Sequence, residues 1–266
     1  MMESLLRYPR LFGYFVRFSV SRAMEFRLDF WFRIIMDFLF YCVNIAFYEI
    51  LFLHFPRIGG WSREQAMVFV AGYLFVDAVQ MTLFSNNMWW LPTFVNRGDL
   101  DYYLLRPVSS LFFLSLRDFA ANSFLNMLMT AGILAWAFHQ FPGELGAAKI
   151  LLYIFVLLNG VLVFYLMQLL FTLPVFWTQS VDGFREVNWT LGKVMERPDR
   201  IFSGWPRKLF TLILPYCLVS SFPARLVVEE FDGGILLHIL GVTLLFSGAI
   251  ALFWRAALRS YSSASS

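Results

Sequence analysis

The chain carries a succession of apolar runs too long for a soluble fold to hide, and these constrain its fold more than any other feature. Runs of about twenty residues or more cover approximately 28–55, 65–85, 118–141, 148–177, 209–228 and 235–254. Lipid offers no hydrogen bonds, so each backbone N–H and C=O must find its partner within the protein. A helix of about twenty residues achieves this across about 30 Å of hydrocarbon. The runs predict membrane helices and hence an all-α, polytopic fold. Of the 266 residues, 59% are hydrophobic and 15% are charged, against about 25% charged in ordinary soluble domains. That leaves too little polar surface to cover a soluble particle.

Several chemistries are not supported. The net charge of +3 is too small to imply nucleic acid, and no basic tract stands apart from the flanks of the apolar runs. Cys42 and Cys217 both sit in apolar surroundings without CxxC spacing, which suits packing rather than a disulfide or a metal. His54, His139 and His238 are far apart and form no ligand motif. Gly192-Lys193 is followed by Val194 and lacks the earlier glycine of a phosphate loop. No nucleophile elbow is present. No cofactor or metal is therefore expected in the chain, and any energy source must be a gradient or another subunit.

The segment 8–24 predicts an amphipathic helix in the headgroup plane, with Pro9 in its first turn. Glu3, Arg7, Arg10, Arg17 and Ser21 share one side of the wheel, and Phe12, Phe15, Val16 and Ala23 gather opposite. The later turns fall at RIGGW, PGELG and EEFDGG, and the chain ends in a short RAALRSYSSASS tail. The polar segment 86–117 separates the second and third runs, and a second polar stretch covers 178–208. Lys and Arg set the orientation. With the amino terminus inside, the inner segments collect Arg7, Arg10, Arg17, Arg22, Arg27, Arg97, Arg106, Arg117, Arg255 and Arg259. The outer turns hold only Arg57, Arg63 and Lys149. Six transmembrane helices are expected in a single domain, 1–266, with both termini and the 86–117 segment cytoplasmic.

Ionisable groups inside a membrane are costly and mark candidate pathways or interfaces. Asp29, Arg33 and Asp37 follow an i, i+4, i+8 series on the first span, with Asn44 in the same sector. Asp118, Asn122, Asn126 and Thr130 form a similar row on the third, and Asp77 lies within the second. Such rows face protein or a cavity, so they read either as glue between helices or as the wall of a pathway or subunit interface.

The most specific stretch is NRGDLDYYLLRPVSSLFF, residues 96–113. Its Gly98, Asp99, Leu100, Leu105, Arg106, Pro107 and Ser109 resemble the segment between the second and third spans of ABC-2 type permeases, in particular the six-span bacterial subfamily. The basic leader, the length and the Leu214-Pro215 and Ser221-Phe222-Pro223-Ala224 sequences add to the likeness. The resemblance implies a coupling helix seated in a groove of a nucleotide-binding subunit. The residues that would dock are Phe94, Arg97, Gly98, Asp99, Leu100, Asp101, Tyr102, Tyr103, Arg106 and Pro107. Aromatic anchors and orienting charges suit such a contact, and Pro92 and Pro107 suit the bounds of a short helix. Trp89 and Trp90, nearest the span, suit the interfacial belt.

The implied protein is a permease subunit of an exporter in the bacterial inner membrane, in contact with lipid. It would pair with a second permease, identical or homologous, and recruit two ATPase subunits that hold ATP and Mg²⁺. Two arrangements of 178–228 stand at this point. Either 178–208 is a cytoplasmic loop and 209–228 the fifth span, or 180–200 is a polar helix within the assembly and 203–228 is re-entrant. The rival functions are an ion-coupled transporter or channel working through Asp29, Asp37 or Asp77, a membrane-embedded enzyme, and a scaffold without transport.

Overall fold

The computed structural model describes residues 2–23, 25, 27–143 and 145–262, apart from the side chains of residues 2–6 and of Arg27. The side chain of Glu3, Met24 at the end of the leader, Glu144 in the PGELG turn and the end of the tail therefore lie outside the description. The regular structure among the described residues is all helical, apart from one isolated bridge between Ile58 and Trp61. Five helical segments are long and apolar enough to cross a membrane: Leu28–His54, Arg63–Arg97, Ala121–Gln140, Ala147–Thr178 and Gly233–Ser260.

The first helix, α1 (Met2–Ala23), begins earlier than expected, so Pro9 lies inside it rather than in its first turn. Residues three and four apart share a helix face, and one such face (Tyr8, Leu11, Phe12, Phe15, Ser19) is turned inward. α2 (Arg27–His54) packs on α3 (Arg63–Gln80), which is the centre of the bundle. α3 starts at a capping box in which Ser62 and Gln65 satisfy each other's backbone N–H groups. Its Ala66, Val68, Phe69, Leu74 and Val76 have no accessible surface.

The second run does not end where the polar segment begins. Met81–Ser85 form one wide π turn, and the helix continues as α4 (Asn86–Arg97), giving a single 35-residue helix, Arg63–Arg97. The wide turn leaves carbonyl capacity for an outside donor, and Thr82 accepts from the N–H of Ala120 at 2.9 Å. Pro92 lies within α4 instead of bounding a helix. Proline removes the N–H that would bond the carbonyl four residues back, here that of Met88. The Arg185 guanidinium occupies that place, donating to the Met88 carbonyl at 3.5 Å and to the Trp89 carbonyl at 2.7 Å.

Two short helices follow, α5 (Leu100–Leu104) and α6 (Ser110–Leu116), and then α7 (Ala121–Gln140). Asp118 precedes α7, so the expected i+4 row holds only for Asn122, Asn126 and Thr130. Ala120 is extended there (φ −79°, ψ 91°), which breaks the helical phase. Asn87 holds both backbone groups of Asp118, at 2.8 and 3.0 Å. α8 (Ala147–Thr172) and α9 (Val175–Thr178) then run beside α4.

The stretch after Trp177 forms α10 (Asp182–Gly192) and a 3₁₀ turn, Lys193–Glu196. At one end Arg185 caps α4; at the other Tyr48 donates to the Glu196 carbonyl and Tyr73 to its carboxylate at 3.3 Å. Beyond it Pro198 packs on Gly59 in the α2–α3 turn. The chain then turns through α11 (Gly204–Lys208) and α12 (Ser221–Val228) before α13 (Gly233–Ser260).

This region is locked by Asp199, whose side chain is fully buried. The carboxylate accepts from Ser221 at 2.8 Å, Arg207 at 2.8 Å and Arg225 at 3.3 Å. Next to it Glu229 accepts from Arg200 at 2.7 Å, Trp61 at 3.1 Å and Arg225 at 3.4 Å. Gly160 on α8 lets the segment approach closely, because an added Cβ would fall 2.3 Å from the Val219 carbonyl oxygen.

Candidate coupling segment and polar cavity

Gly98 ends the 35-residue helix in the left-handed region (φ 80°, ψ 0°), which a glycine adopts without the penalty of a Cβ. The reversal starts α5 and presses Leu100, with 0% exposure, into a hydrophobic cluster with Leu91, Leu114 and Leu169. Because Leu100 is fixed, the remaining residues of α5 take defined directions. Tyr102 is 62% and Leu105 86% exposed, and Arg97, Asp99, Leu104 and Pro107 are also at the surface.

Tyr103 turns the other way, its ring meeting Phe94 at 5.5 Å and Phe113 at 5.4 Å. Arg117 lies over the Phe94 ring at 4.4 Å and donates to the Tyr103 hydroxyl. Arg106 stacks on Tyr102 at 4.2 Å and Phe113 at 4.9 Å, a cation–π arrangement that holds its guanidinium in place. Asp101 is engaged near Tyr261, at the end of α13. Burial, followed by the charge of Asp101 and Asp99, raises the pKa of the Tyr261 hydroxyl above its ordinary value.

The ten residues expected at a docking surface thus divide. Arg97, Asp99, Tyr102 and Pro107 are exposed; Gly98, Asp101 and Arg106 are half-buried; Leu100, Phe94 and Tyr103 support the segment from within. Arg117 and the exposed Leu104 and Leu105 are part of the same structure. The leucines carried a visible signal, since an apolar pair in a polar stretch is unusual. Arg117 carried none, because its contacts with Phe94 and Tyr103 arise only when the segment folds back on itself.

A second feature is a cavity of about 680 Å³ bounded by α1, α2, α4 and the start of α7. It gathers Asp29, Arg33, Asp37 and Asn122 from the expected set, together with Arg22 and Asp118. Arg33 donates to Asp29 at 2.7 Å, and Arg22 pairs with Asp118 at 2.5 Å. Asn126, buried behind the wall, donates to Asp37. Asn44 bonds its own helix at the Phe40 carbonyl (2.9 Å) and does not line the cavity, nor does the half-buried Asp77 on α3. The cavity is lined by charges of both signs, which suits a polar or amphiphilic guest better than a hydrocarbon.

Five long apolar helices, one of them ending in an exposed aromatic and aliphatic knob beside a cavity that holds charged side chains, define a polytopic membrane protein. The family is given by a match over residues 38–265 to the profile of the ABC-2 family transporter protein, and the chain belongs to that family. It is thus an ABC transporter permease, a membrane transport component and not itself the catalytic subunit. Membership implies association with ATP-binding subunits and usually dimerisation. No curated protein and no solved structure matched the chain.

Proposed function

We propose that the chain is the permease subunit of a bacterial inner-membrane exporter, working as a dimer with an identical or homologous permease and driven by two ATPase subunits. ATP and Mg²⁺ belong to those subunits. The observation that carries this reading is the unbroken helix Arg63–Arg97 ending in the α5 knob. At about 1.5 Å per residue its 35 residues measure about 52 Å, well beyond about 30 Å of hydrocarbon. Its end therefore reaches beyond the hydrocarbon to the headgroup level on the side of the basic leader, which is the cytoplasmic side by the positive-inside rule. A continuous helix joining a soluble motor to the centre of the bundle carries displacement past its π turn and Pro92, where Arg185 braces the opened backbone.

In the same reading α10 and its 3₁₀ turn form the fifth of six crossings, with the residues around Asp199 as a re-entrant cap on the outer side. The segment is about 24 Å long, close to the hydrocarbon thickness. Glu186, Thr190 and Lys193 on it are exposed in the single chain. Facing lipid they would lack partners, which favours a second permease against this surface. The α1 helix lies in the headgroup plane, and the cavity with Asp29, Arg33 and Asp37 admits the transported molecule.

The test is recruitment. Asp99→Lys combined with Arg106→Glu reverses two orienting charges of the knob and is expected to weaken co-purification of the ATPase subunit about tenfold. Membrane insertion and dimerisation stay intact. Undiminished co-purification at physiological salt would refute the assignment.

A further inference from the structure

We propose that Arg7, Arg10 and Arg106 form a site for the phosphate headgroup of an anionic phospholipid, which clamps α1 to the α5–α6 segment. The three arginines line one cavity of about 500 Å³ together with Leu11, Tyr14, Pro107, Val108 and Phe113. Among the described residues no carboxylate forms an ion pair with any of the three. Three like charges around one small cavity repel one another, and an anion relieves that repulsion. Guanidinium presents a planar fork of donors matched to phosphate oxygens. Arg106 is already held, since its guanidinium lies 4.2 Å from the Tyr102 ring and 4.9 Å from the Phe113 ring.

The apolar part of the lining favours an amphiphile over a free anion. Leu11 and Phe113 offer a surface to the first part of an acyl chain, and the exposed Tyr14 and Phe18 place this side of α1 at an interface where such chains are present. The two walls are already joined: Tyr8 and Phe112 meet edge to face at 4.8 Å, Phe15 and Phe113 at 5.0 Å, and the Tyr8 hydroxyl accepts from the Ser109 N–H at 3.3 Å. A headgroup between Arg7, Arg10 and Arg106 completes the clamp. It also ties the residue that follows the α5 knob to the membrane surface.

The proposal is tested with the full chain in nanodiscs of phosphatidylcholine containing increasing phosphatidylglycerol, with retained lipid counted by native mass spectrometry. The wild type is expected to retain phosphatidylglycerol selectively. Arg7→Gln with Arg10→Gln should bind it about thirty-fold more weakly. Arg7→Lys with Arg10→Lys should recover part of the loss, and Arg17→Gln, on the same helix outside the cavity, should change nothing. Equal retention by the Gln double variant overturns the proposal, as does displacement of the lipid by millimolar inorganic phosphate, which would identify a soluble anion as the occupant. If the Gln variant fails to fold, the wild type decides alone, because indifference between the two lipids overturns the site. No ATPase subunit takes part, so the outcome is separate from the recruitment test.

Discussion

Asp199→Ala is expected to lower the melting temperature of the detergent-purified protein by roughly 10 °C, from a loss of about 3–5 kcal/mol. The carboxylate is fully buried and accepts from Arg207, Arg225 and Ser221. Removing it leaves the Arg225 guanidinium, 14% exposed, without its closest buried counter-charge. Arg225 keeps Glu229 at 3.4 Å, so the loss combines this weakened pairing of a buried charge with the lost bonds from Arg207 and Ser221. Arg207 is 41% exposed and contributes less, because water screens and solvates it. Asp199→Asn keeps an acceptor for Ser221 and should fall between wild type and alanine. Arg225 also reaches Glu229, so the double variant with Glu229→Gln should lose more than the two singles together. Additive losses would show that the two carboxylates act independently, and an unchanged melting temperature for Asp199→Ala would show that the network does not hold the segment.

Leu105→Asp is expected to reduce affinity for the ATPase subunit about a hundredfold while leaving the melting temperature within about 1 °C of wild type. Leu105 is 86% exposed beside Tyr102, and neither supports the fold from within. Aromatic and apolar anchors of this kind, once seated in a groove, dominate binding energy, and a carboxylate placed there loses its hydration without a partner. Titration of the purified permease with the ATPase subunit gives the affinity, and thermal unfolding of the same sample gives the stability. Unchanged affinity would move the contact off α5. Leu100 does not serve this purpose, because it is wholly buried and its loss would loosen the segment itself.

How far the fold could be read from the sequence depended on what each residue needed. The long helices were legible because lipid demands an apolar exterior, and 235–254 and 148–177 satisfy that demand in sequence alone. The 178–228 region was not, because α10 is polar and its key contact, Arg185, is made to backbone carbonyls of α4 that no side-chain pattern reveals. The row beginning at Asp118 was read one turn too far, since periodicity does not register the extended Ala120. Within 96–109 composition marked a candidate surface but not which way each residue turned. A five-residue helix is too short for periodicity to separate Tyr102, which faces out, from Tyr103, which clasps Arg117. The cavity was half visible: Asp29, Arg33 and Asp37 share a helix face, whereas their meeting with Arg22 and Asp118 is a property of the tertiary fold.

The guanidinium on the Met88 and Trp89 carbonyls binds two distant positions into one evolutionary unit. A descendant that replaced Pro92 would regain the internal N–H···O bond at Met88 and release Arg185 from half of its task. One that lost Arg185 first would leave the proline gap open. Positions 92 and 185 should therefore change together among relatives, with lysine a poor substitute because its single ammonium lacks the planar reach to two carbonyls.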